Sequence, residues 1–110
     1  MAVQAATSVV VKQGRQQFGS LFNEIFAVTC TLNPDQLADG AGTSDTVAVP
    51  GVALGDMVLG ISCSVDLEDH TVTAYVQAAN AVEIRIQNEG GATPNLAAAT
   101  WRLLIGRPGF

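Results

Sequence analysis

The densest group of potentially reactive side chains is Asp66, Glu68, Asp69 and the single histidine, His70. Carboxylates and imidazole are ligand types for a divalent cation. Neighbours in an extended segment, however, point alternately to opposite sides, so such a run brings at most about two of them together. The spacing also lacks the glycine-disciplined pattern of a calcium loop. We expect a solvated turn here rather than a metal site. Cys30 and Cys63 could each in principle form a nucleophile pair with His70, but no oxyanion-type motif accompanies either. Both lie in apolar stretches, and reduced, buried thiols are the expectation. Residues 51–56 carry two glycines but precede a strand and contain no lysine, so they are not a phosphate loop. The ten acidic residues find few aromatics with which to line a sugar groove. No catalytic residue, metal or cofactor is assigned, and the expectation is a non-enzymatic protein.

The elements around these residues are strands. Val82, Ile84 and Ile86 alternate with Glu83, Arg85 and Gln87, the period of a strand with one buried face. Val72, Ala74 and Val76 repeat the pattern more loosely, and Asn80, which tolerates a left-handed backbone, closes the two into a hairpin. Phe26, Val28, Cys30 and Leu32 form one face of another strand. Trp101, Leu103 and Ile105 form the inner face of the last, with Arg102 outside, so Trp101 is a core residue. Shorter strands are expected at residues 46–49 and 57–63, the latter interrupted by Gly60, which points to a bulge. Residues 36–45 read as a loop. Phe18, Leu21, Phe22 and Ile25 fit one face of a short helical turn. Six or seven short strands with Gly, Pro and Asn turns predict an all-β, antiparallel sandwich of jelly-roll type, a small closed barrel being the alternative. The expected organisation is an N-terminal arm over residues 1–24 and a single β-domain over residues 25–110.

Composition narrows the function classes. The chain has 110 residues, 48% hydrophobic and only 14% charged, against roughly 25% charged in ordinary soluble domains. Such a surface suits packing against a neighbour. The formal charge of −5 offers no basic stripe for nucleic acid, and no run of apolar residues is long enough for a membrane helix. Nothing resembles a secretion signal. Lys12 and Arg15 give residues 1–24 a charge opposite in sign to the rest.

Three stretches together carry a resemblance: residues 49–59 with Pro50, Gly51, Gly55 and Asp56; residues 72–88 with Asn80 and Asn88; and Ala99-Thr100-Trp101-Arg102-Leu103. Between about residues 46 and 105 the chain resembles a small β-domain recurrent in tailed-bacteriophage virion proteins, including capsid decoration (cement) proteins. Cys63 and the acidic residues 66–69 depart from the pattern, and residues 1–45 lie outside it.

The resemblance implies a protein of the outer capsid surface that binds the major capsid protein and clamps capsomers, often as a homotrimer. Another virion part (tail, fibre or head–tail junction) is the alternative, and a carbohydrate-binding module with Tyr75 exposed is a more distant one. On the cement reading the interface anchors are Val9, Val10, Val11, Phe18, Leu21 and Phe22, with Lys12 and Arg15 setting register against an acidic shell.

Overall fold

A computed structural model describes the backbone of residues 3–13 and 21–110 and the side chains of 5–11 and 21–110. The described chain is all-β. In order, the strands are β1 (Val3–Gln13), β2 (Phe22–Leu32), β3 (Gly42–Ala48), β4 (Met57–Cys63), β5 (His70–Ala78), β6 (Ala81–Asn88) and β7 (Ala99–Pro108). They hydrogen-bond in the order β4-β7-β2-β1-β3-β6-β5, and every pairing is antiparallel except β1 with β3. The result is a nearly closed barrel whose first and last strands, β4 and β5, approach each other without a ladder.

β1 joins the two halves of the barrel. Val3 to Ala5 run parallel to Thr46 to Ala48 of β3. Beyond them, Ala6 to Gln13 run antiparallel to β2, with a shift of register between Ala6 and Ser8. Much of the segment read from sequence as an N-terminal arm thus supplies a strand in the middle of the sheet order. Only the β-prone run Val9 to Val11 signals this strand in the sequence, because residues 3–8 lack apolar alternation. The helical turn expected around Phe22 and Ile25 is replaced by the start of β2. Pairing of Phe22 with Pro108 and of Ile25 with Gly106 satisfies the backbone there in a sheet.

The alternation seen in sequence sets the core. Phe26, Val28, Cys30 and Leu32 of β2, Val82, Ile84 and Ile86 of β6, and Trp101, Leu103 and Ile105 of β7 all point inward and are buried. Val47, Val49 and Val52 fill the space between the half-sheets. Gly60 lies at a bulge: the register of β4 against β7 shifts between Val58 and Gly60, leaving Leu59 as the extra residue. Asn80 has a φ of 63° in the β5–β6 turn. Its side-chain Oδ1 accepts from the Gly51 N–H at 2.8 Å, and its own N–H donates to the Val52 carbonyl at 2.9 Å. The hairpin turn therefore holds the loop that follows β3. β3 itself begins at Gly42, inside the stretch expected as a loop, because pairing with β6 extends to Gln87.

Buried polar groups anchor the remaining loops. The Asn88 side chain is fully buried and donates to the Leu37 carbonyl at 2.9 Å and the Ala92 carbonyl at 2.7 Å, and it accepts from the Gly90 N–H at 3.1 Å. One asparagine thus fastens the β2–β3 and β6–β7 connections to the end of β6. Residues 93–98, which lead into β7, form no helix or strand.

Candidate functional site: two unlike outer faces

The outward side chains of the two half-sheets differ in kind. On β3, β6 and β5 they are polar. Tyr75 lies directly across from Glu83, and Thr73 across from Arg85. The Tyr75 hydroxyl donates to the Glu83 carboxylate, and Arg85 stands 3.8 Å from the same carboxylate. That hydroxyl bond is the main reason the Glu83 carboxyl is held below its ordinary range and the Tyr75 phenol is pushed above its own. Glu83 is buried beneath this cover.

The outer face of β1, β2, β7 and β4 is close to neutral. Register places Val10 beside Ala27, Ala27 beside Leu104, and Leu104 beside Gly60. The next row holds Ser8, Thr29, Arg102 and Ser62. Val10 is 44% exposed, Leu104 38% and Leu59 39%. A shallow groove of about 500 Å³ runs here, bordered by Ala27, Thr29, Gly60, Ser62, Arg102 and Leu104. Further along, Phe22 lies over Gly106, where an added Cβ would come within 2.7 Å of the ring, and Ile25 beside it is buried. Arg102 is the one charged group among the described side chains of this face. All ten acidic residues lie elsewhere: in the connections, on the polar half-sheet, or, for Glu24, turned to Arg107.

The interface anchors expected from sequence are distributed as follows. Val10 lies on this outer face. Val9 shares the inward side with its partner Val28 and is half-buried against the core. Val11 pairs with Phe26 and is exposed near the end of β1. Leu21 is exposed just before β2, and Phe22 covers Gly106. The Lys12 side chain, Arg15 and Phe18 lie outside the described residues. The contributions of Ala27, Leu59 and Leu104 to the face were not read from sequence. A stricter use of the β7 alternation would have placed Leu104 outward beside Arg102.

The residues considered for chemistry occupy structural positions. His70 is buried, and its Nδ1 lies 3.2 Å from the Glu68 carbonyl. Glu68 and Asp69 both have positive φ, which turns the chain into β5. Among the described residues, no three His, Cys, Asp or Glu side chains gather as a metal-holding group. Cys30 and Cys63 are free thiols, flanking Trp101 from opposite neighbouring strands. Two strand spacings separate them by roughly 10 Å, beyond the reach of a disulfide. Burial, and then the nearby Asp45 carboxylate, push the Cys30 thiol up to about 11.

No family model, curated protein or solved structure matches this chain.

Proposed function

We propose that this chain is a non-enzymatic virion structural protein, a capsid decoration protein that lies on the outer surface of an assembled head and bridges neighbouring subunits of the major capsid protein. The observation that supports the reading is the neutral outer face of β1, β2, β7 and β4. It offers exposed Val10, Leu59 and Leu104 around a shallow groove, with Arg102 as its only described charge. A wide face with few charges loses little to desolvation when covered, and its apolar groups supply the contact energy. Acids gathered elsewhere leave this face free of repulsion towards an acidic shell. The sequence resemblance across residues 46–105 points the same way, as does a scaffold whose loops are fastened by Asn80 and Asn88. The finer architecture belongs to the same proposal: two half-sheets sharing β1, arranged as a sandwich of jelly-roll kind, associating as a trimer on the capsid.

Cryo-electron density of the intact particle tests it. Many symmetric copies on the outer shell, with Val10 and Leu104 against coat subunits, are expected, and Leu104→Asp should abolish saturable binding to assembled heads while the variant stays folded. Copies confined to the tail or portal vertex would replace this reading with that of another virion component. Absence from the particle would overturn both.

A further inference from the structure

The free edge of β5 is the least protected edge of the barrel. Its one ladder is to β6, and residues 64–69 lead into it from β4 with no ladder between the two strands. Edge strands ordinarily carry a charge, a proline or a bulge that stops a further strand from pairing. β4 has the Leu59 bulge. β5 has its own register shift only near its end, between Val76 and Ala78; from His70 to Val76 it is in unbroken register with β6, and it contains no Asp, Glu, Lys, Arg or Pro. Its inward Val72 and Ala74 are only half-buried at the margin of the core. β4 approaches this edge without forming a ladder, so among the described residues no second strand is hydrogen-bonded to β5, and Val72 and Ala74 keep part of their apolar surface exposed.

Charge marks one end of this edge. Asp66, Glu68 and Asp69 are exposed immediately before β5, and no described basic side chain forms an ion pair with any of them. Asp66 Oδ1 accepts from the Glu68 N–H at 2.9 Å, which holds the turn in place beside the strand.

We infer that the β5 edge receives an extended strand from a basic partner polypeptide, with alternate small apolar residues and Lys or Arg at the end beside residues 66–69. Backbone hydrogen bonds extend the sheet, and the partner's alternate side chains cover Val72 and Ala74. Its basic end meets the three acids, which sets register and direction. In an antiparallel arrangement that end is the partner's C-terminal one. A second copy of this chain is a poorer occupant, because it brings the same net charge of −5. This inference stands apart from the decoration reading, since it uses a different surface.

The test uses the full chain, isotope-labelled for NMR. The probe is a nine-residue peptide alternating threonine with valine or alanine and ending in two lysines, compared with the same peptide ending in two glutamates. At low salt the lysine peptide should shift the amides of Thr71 to Val76 and slow their hydrogen exchange, and it should bind at least about ten-fold more tightly than the glutamate peptide. The advantage should shrink in high salt. The variant Asp66→Asn, Glu68→Gln, Asp69→Asn, folded as judged by its spectrum, should lose the preference while retaining protection of β5. Equal binding of the two peptides, protection confined to the β1–β2–β7–β4 face, or no protection at millimolar peptide would overturn the inference. So would concentration-dependent protection of β5 without any peptide, which would make a second copy the occupant.

Discussion

Arg107 grips Asp56 with two parallel hydrogen bonds, Nε to Oδ1 at 3.1 Å and Nη2 to Oδ2 at 2.9 Å. The Asp56 side chain is only 4% exposed and also accepts from the Ala53 N–H at 3.0 Å. Arg107 donates further to Glu24 at 3.2 Å and to the Gly51 carbonyl at 2.6 Å, and its guanidinium lies 5.4 Å from the centre of the Phe26 ring. One side chain near the end of β7 thereby ties down the β3–β4 connection and the start of β2. Bidentate, partly buried pairs of this kind rank among the stronger polar contacts.

Removing Asp56 leaves the guanidinium without its main partner and frees the Ala53 amide. Asp56→Ala should cost about 2–4 kcal/mol, and Asp56→Asn less, because the amide oxygen can still accept one bond. Urea unfolding midpoints of the two variants check this. An Arg107→Met, Asp56→Leu double variant should recover part of the loss, since it removes both charges together.

Asn88→Ala removes three side-chain hydrogen bonds at a fully buried position. A loss of about 2–4 kcal/mol is expected, through unpaired groups at Leu37, Gly90 and Ala92. Asn88→Asp should be similarly damaging, because a carboxylate cannot donate to the two carbonyls. Thermal unfolding of both variants distinguishes a lost donor from lost volume.

Asp45 faces the core from β3 and has a buried Oδ2 without a hydrogen-bond partner. Burial, reinforced by Asp35, raises its pKa above the ordinary 3.8. Between the ordinary value and the raised one the folded state binds more protons than the unfolded state. This group's contribution to stability therefore falls as pH rises through that window. Asp45→Asn should raise stability at pH 7 by about 1 kcal/mol and flatten that part of the profile. Urea titrations between pH 3 and pH 7, read as about four spaced points, decide the sign.

Glu83 works in the opposite sense. Its carboxyl is held below the ordinary 4.5, chiefly by the Tyr75 hydroxyl. Its contribution is present above that value and is lost as pH falls through the lowered pKa. Tyr75→Phe should move the Glu83 titration upward, and NMR titration of the Glu83 side chain reads the shift directly.

The two cysteines should differ under a thiol reagent at neutral pH. Cys30, fully buried and with its pKa pushed up to about 11, should react only on unfolding. Cys63 is partly exposed and should label in the native state. Non-reducing mass spectrometry should show no bond between them.

The β-character of the chain, its core faces and several of its special positions were legible in the residues. Alternation over residues 82–87 and 101–105 names the buried side chains, because a pleated strand with one wet face must alternate. Gly60 marks the bulge and Asn80 the left-handed turn because few other residues suit those backbones. These are local constraints, and a linear pattern can carry them. Tertiary structure decided that β1 bridges two half-sheets, since residues 3–8 have no periodicity and their place depends on partners 21 to 43 positions away. It also decided that Asp56 serves Arg107, 51 residues later, and that Val10, Ala27, Leu104 and Gly60 fall into one row. Each strand announces which of its residues face inward. The composition of the outer face is set by which strands become neighbours, and that follows from closing the whole barrel around its core.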